Sequence, residues 1–102
     1  MDAKIKRLWV NALRSGKYRQ ARGYLRENGA MCCLGVLCEI QGIDWKKARE
    51  DGMGNVTEDV PRQFNAGLRK RQRVKLAEMN DGEMGYEEPS FREIADYIAK
   101  NL

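Results

Sequence analysis

Ile5, Leu8, Trp9, Ala12 and Leu13 recur at i, i+3, i+4, i+7 and i+8, the apolar stripe of an amphipathic helix. Asp2 stands where a carboxylate can accept from the first turn, and Gly16 after Ser15 is where a left-handed stop is expected. Residues 17–33 abandon the helical period. Asn28-Gly29 lies between Tyr24-Leu25-Arg26 and Met31-Cys32-Cys33, a strong hairpin signal. If 18–26 is extended, Tyr18, Gln20, Arg22, Tyr24 and Arg26 share one strand face, and Ala21 and Gly23 leave the other flat.

"CCLGVLCEIQG" then reads as a short buried helix ending near Gly42, with Leu34, Leu37, Cys38 and Gln41 on one face. Residues 43–57 read as loop. "EDVPRQFNAG" suits a brief helix with Pro61 in its first turn and Gly67 closing it. "RKRQRVKLAEMN" is basic and then weakly amphipathic, and "DGEMGYEEP" is loop. Ser90 and Glu93 form a capping box for a last helix whose stripe is Phe91, Ile94, Ala95 and Ile98. The expected fold is α+β: one small, mainly helical domain over 1–102, with a short β-hairpin at about 18–33 packed on the N- and C-terminal helices.

The charge is segregated. Residues 1–26 hold eight cations against Asp2, and residues 62–75 hold six and no acid. The stretches 27–61 and 76–102 are acidic. The blocks either pair within the domain or leave a basic face for an anion. No apolar run approaches the roughly 18 residues of a membrane span, and Met1-Asp2-Ala3-Lys4 does not resemble a signal peptide, so a cytoplasmic protein without membrane contact is expected.

All three cysteines, Cys32, Cys33 and Cys38, lie within seven positions, and there is no histidine. A zinc site needs four ligands, and a thiolate nucleophile needs a histidine or an electropositive, partly open setting. The apolar neighbours Met31, Leu34, Val36 and Leu37 instead predict core packing. Neither a metal nor a cofactor is expected.

The polar part of the first block is harder to explain as packing. Arg14, Ser15, Lys17, Tyr18, Gln20, Arg22, Tyr24 and Arg26 are the candidate ligand-binding residues. Guanidinium groups bind phosphate bidentately, and tyrosines stack bases. A structural reading competes: Arg14 and Lys17 favour the end of a helix, Tyr18 and Tyr24 cover the core edge, Gln20 satisfies backbone, and Arg22 and Arg26 pair with carboxylates. Asn80 and Asp81 are expected to cap or build a turn rather than read a base.

Together "LWVNALRSGKYRQARGYLR", "CCLGVLCEI", "LAEMND" and "SFREIADYI" resemble a family of small uncharacterised proteins of tailed bacteriophages and prophages. Its pattern is a Trp, Ala-Leu-Arg-Ser-Gly, Tyr-x-Gln, a Gly, Leu-Arg and Cys-Cys-Leu-Gly-Val-Leu-Cys, followed by Leu-x-x-Leu-Asn-Asp and Ser-Phe-x-x-Ile-Ala. The likeness spans roughly residues 8–41 and 76–98. Ala21 stands where that pattern has a glycine, Met79 replaces a leucine, and residues 43–75 match poorly. The resemblance implies a phage origin, with host takeover, counter-defence or replication support as settings, and carries no mechanism.

Three functional classes follow. The first is a non-enzymatic binder of an anionic ligand, either a nucleotide (a host signalling nucleotide among them) or a short nucleic acid. The second is an interaction module that inhibits a host protein. The third, a thiol or metal site, is the weakest. Whether the chain forms a homodimer stays open.

Overall fold

The computed structural model describes residues 1–50, 52 and 60–102. Helix α1 spans Ala3–Arg14, and Asp2 Oδ1 accepts from Ile5 N at 2.8 Å, the cap expected of it. Gly16 follows in the left-handed region at φ +76°. The hairpin turns at Asn28 and Gly29, both at positive φ, as a two-residue loop requires. Its strands are short: β1 is Arg26–Glu27 and β2 is Ala30–Met31, antiparallel.

Residues 18–25 are not a continuous strand. Residues 19–21 run parallel to Met31, whose N donates to Arg19 O and whose O accepts from Ala21 N. Gly23, at φ +86°, then turns the chain before β1. The alternation expected over 18–26 therefore does not exist, and its side chains diverge.

Helix α2, Cys33–Ile40, is buried on every side from Cys33 to Cys38, as a helix apolar all round must be. It packs against α1, β2 and α4. Trp9, fully buried on α1, donates its indole N–H to Cys33 O at 2.8 Å. Helix α3, Trp45–Glu50, occupies part of the stretch expected as loop. Asp44 makes it, accepting from Lys47 N through Oδ1 and from Ala48 N through its carbonyl. Positions 51 and 53–59, which hold most of the "DGMGN" loop, lie outside the described residues.

A 3-10 turn at Arg62–Phe64 follows Pro61 and is held to α2 by Gln41, whose Nε2 donates to Phe64 O at 2.7 Å. Helix α4 spans Lys70–Asp81 and ends on Gly82. Helix α5, Phe91–Asn101, starts on the expected Ser90/Glu93 capping box and lays Phe91, Ile94, Ala95 and Ile98 into the core. It packs on α1 and α4. The fold is α+β and mainly helical, with one small hairpin beside the all-buried α2.

Candidate anion-binding surface

The eight first-block residues do not form one face. Arg14 Nη2 meets Asp96 Oδ1 at 2.7 Å, joining the end of α1 to α5. Ser15 Oγ donates to Ala12 O and accepts from Lys17 N, closing the helix end. Lys17 Nζ lies 5.8 Å from the ring centre of Tyr18, which packs half-buried on the core. Tyr24 is 47% exposed. Arg26 stacks on Trp45 at 5.5 Å, and that indole N–H donates to Glu39 Oε2.

Gln20 and Arg22 turn inward. Gln20 Nε2 donates to Asn80 Oδ1 at 2.9 Å and to Pro89 O. Arg22 donates to the carbonyls of Asn80, Glu88 and Pro89. A guanidinium that satisfies three carbonyls of a tight loop holds that loop to α4, so Arg22 serves the fold. Its expected carboxylate partners are not what it contacts.

The centre of this network is Asn80, the fully buried polar residue of the core. Its Oδ1 accepts from Gln20 Nε2 and from Cys33 N, and its Nδ2 donates to Ala21 O and Asp81 Oδ1. Both lone pairs and both N–H groups are used. Asp81 Oδ1 also accepts from Gly23 N. Asn80 therefore does not face a ligand; it accepts the first N–H of α2 and ties the 20–23 segment, α2 and α4 together.

Cys32, Cys33 and Cys38 are fully buried thiols. Cys32 Sγ accepts from Gly35 N as the cap of α2, and Cys33 Sγ donates to Leu76 O. Burial is the chief cause that pushes Cys32 and Cys38 from 9.0 up to about 12, and it also raises Cys33 well above 9.0. A thiolate nucleophile needs the opposite. Among the described residues no three His, Cys, Asp or Glu side chains are grouped to hold a metal ion.

The thiol shifts carry a prediction. Their folded values lie above the unfolded value, so the stability they contribute is complete below about pH 9 and falls as pH climbs toward 12. Each thiol steepens that fall by up to about 1.4 kcal/mol per pH unit. At pH 8 a disulfide reagent is expected to label the native protein far more slowly than the urea-unfolded chain. Equal labelling rates would show that the thiols are open.

The cations away from this network gather elsewhere. Asp2 N donates to Ala66 O at 3.2 Å. That bond sets Asp2, the cap of α1, beside Ala66, three residues ahead of the basic run Arg69-Lys70-Arg71. A groove between α1 and α5 carries Lys6, Arg7 and Arg14. Grooves on either side of α4 both include Arg71 and Lys75, one reaching Tyr86 and the other Tyr97. Lys75 Nζ lies 5.2 Å from the Tyr97 ring centre, and its hydrogen bond to Tyr97 raises its pKa above the usual lysine value. A cavity of about 600 Å³ between α3 and the 3-10 turn mixes Asp44 with Lys47 and Arg62 and has no single sign of charge.

Residues 1–66 match the family described as "Domain of unknown function (DUF8296)". The chain belongs to that family. No curated protein and no solved structure matches it. The DUF8296 range takes in α1, the hairpin, α2 and α3, and ends before α4. Gln20 and Arg22 lie inside it and their partners Asn80, Glu88 and Pro89 lie outside. The buried network thus joins the DUF8296 range to the rest of the chain. Among the described residues no helix is long and apolar enough to cross a membrane.

Proposed function

We propose that this is a phage-encoded, non-enzymatic binding protein that captures an anionic ligand, a nucleotide or a short nucleic acid, through exposed Arg, Lys and Tyr side chains. One observation carries the reading. Of 19 Lys and Arg side chains, one forms a salt bridge among the described residues, Arg14 with Asp96. Direct ion pairing between the segregated blocks is sparse there, and exposed cations on a small basic domain attract anions. The resemblance to phage and prophage proteins supplies the setting, host takeover or counter-defence in the cytoplasm of the infected cell. The buried, hard-to-ionise thiols speak against thiol chemistry.

A second reading, a module that binds and inhibits a host protein, is favoured by Leu8, Tyr24 and Met84, large apolar side chains 45%, 47% and 79% exposed.

The test is to purify the protein at moderate salt, record its ultraviolet spectrum, and analyse the supernatant after heat denaturation by mass spectrometry. Trp9, Trp45 and four tyrosines give a steady baseline. A released nucleotide or oligonucleotide is the expected result. If no nucleotide is released and no nucleotide or oligonucleotide binds at low salt, the anion reading fails; a host protein retained on the column would then support the second one.

A further inference from the structure

Helix α4 begins with an electrostatic conflict. Arg69, Lys70, Arg71 and Arg73 crowd its first turn and cap, and no carboxylate stands there. Cations at a helix N-terminus oppose the macrodipole. Arg69 occupies the cap position, yet a guanidinium cannot accept the orphan N–H groups; only the reverse bond, Arg69 N to Gln72 Oε1 at 2.8 Å, is made. Arg73 turns back to Leu68 O. Arg71 and Lys75, exposed and four residues apart, rise on one side of the helix.

Those two cations form a ridge between two clefts. The cleft toward Tyr86 measures about 470 Å³ and that toward Tyr97 about 310 Å³, sizes within or near the range of small-ligand sites. Both tyrosines are half-buried, with their rings anchored against the core. Glu78, one turn beyond Lys75, is the acid in the first cleft, so phosphates are favoured toward the helix start.

Resting on the anion-binding reading, we infer that this α4 surface, and not the first basic block, is a site for single-stranded nucleic acid. Arg71 and Lys75 would hold consecutive phosphates, and bases would lie against Tyr86 and Tyr97. Cations interleaved with anchored aromatic rings are the requirements of a single-strand platform. A duplex keeps its base faces stacked inside and offers the tyrosines nothing. The first block fails that requirement, since Gln20 and Arg22 are spent on the fold and its other side chains do not share one face.

The experiment is fluorescence anisotropy with labelled single-stranded DNA, single-stranded RNA and a duplex, each about 15 units long, across a salt series. Single strands are expected to bind more tightly than the duplex, the two single-strand arms telling DNA from RNA. Lys75→Gln and Arg71→Gln should each weaken binding and flatten the salt slope by about 0.7 per lost phosphate contact. Tyr86→Ala should lose about tenfold and Tyr86→Phe little, because the ring does the stacking. Lys46→Gln on α3 should change nothing, and circular dichroism checks that each variant is folded. Loss in Tyr24→Ala or Arg26→Ala with Arg71→Gln and Lys75→Gln unaffected overturns the inference while anion binding stands. Mononucleotide binding without oligonucleotide binding, or polyglutamate binding as well as the single strands, overturns it likewise. Binding of none of these probes overturns both.

Discussion

Replacing Asn80 by alanine is expected to destabilise the protein by about 3–4 kcal/mol, a large part of the roughly 5–15 kcal/mol that holds a domain folded. The side chain makes four hydrogen bonds with no exposure to solvent. Its removal strands Cys33 N and Ala21 O, and Gln20 Nε2 keeps only Pro89 O. Each buried group left unsatisfied costs about 1–3 kcal/mol. Water entering the gap recovers part of this, so the bonds do not simply add. Asn80→Asp separates the polar loss from the cavity. It keeps the volume but turns two donors into acceptors, facing a carboxylate against Ala21 O and Asp81. At neutral pH it is expected to cost at least as much as the alanine. Urea unfolding of both variants checks this. An Asn80→Asp midpoint close to wild type would mean the network's donors contribute little.

Asn80 also marks the limit of what the sequence discloses. The features read correctly from it are local: Asp2 capping Ile5 N, the Asn28-Gly29 turn, and the Ser90/Glu93 box that starts α5. Each is a code over two to four positions, and local physics decides it. Helix α3 lies in the stretch 43–57 that reads as loop: Asp44 caps it, but Ala48 alone is buried in it and no apolar stripe announces it. The strand face over 18–26 failed for a different reason. Alternation assigns faces only if the backbone stays extended, and Gly23 turns it. The inward turn of Gln20 and Arg22 depends on groups some 60 residues away. No spacing rule reaches that far. The same holds at the surface: both basic blocks are plain in the sequence, but the Asp2–Ala66 bond that joins the start of α1 to the approach to α4 is not.

Gly35→Ala is the second large expected effect, and its sign runs against helix propensity. In the interior of a helix, alanine in place of glycine normally stabilises by about 1 kcal/mol. At Gly35 of α2, a Cβ would stand 2.2 Å from Leu25 O and 2.9 Å from Met31 Cβ. Neither neighbour gives way cheaply. Leu25 is fully buried, and its carbonyl accepts from Cys32 N at 3.2 Å. Met31 is bonded to Arg19 and Ala21 on one side and paired with Arg26 on the other. Room for one methyl therefore requires the hairpin to lift off α2, and overpacking of this kind costs about 1–3 kcal/mol or more. The propensity gain offsets only part of that. Because each kcal/mol moves the midpoint of a domain this size by about 4–8 °C, a loss of roughly 10 °C is expected in thermal unfolding. A Gly35→Ala protein that melts above wild type would show that propensity wins and that α2 does not meet the hairpin so closely. The expected loss would instead explain why the buried helix α2 carries a glycine in its first turn: the missing side chain is the space in which the hairpin lies.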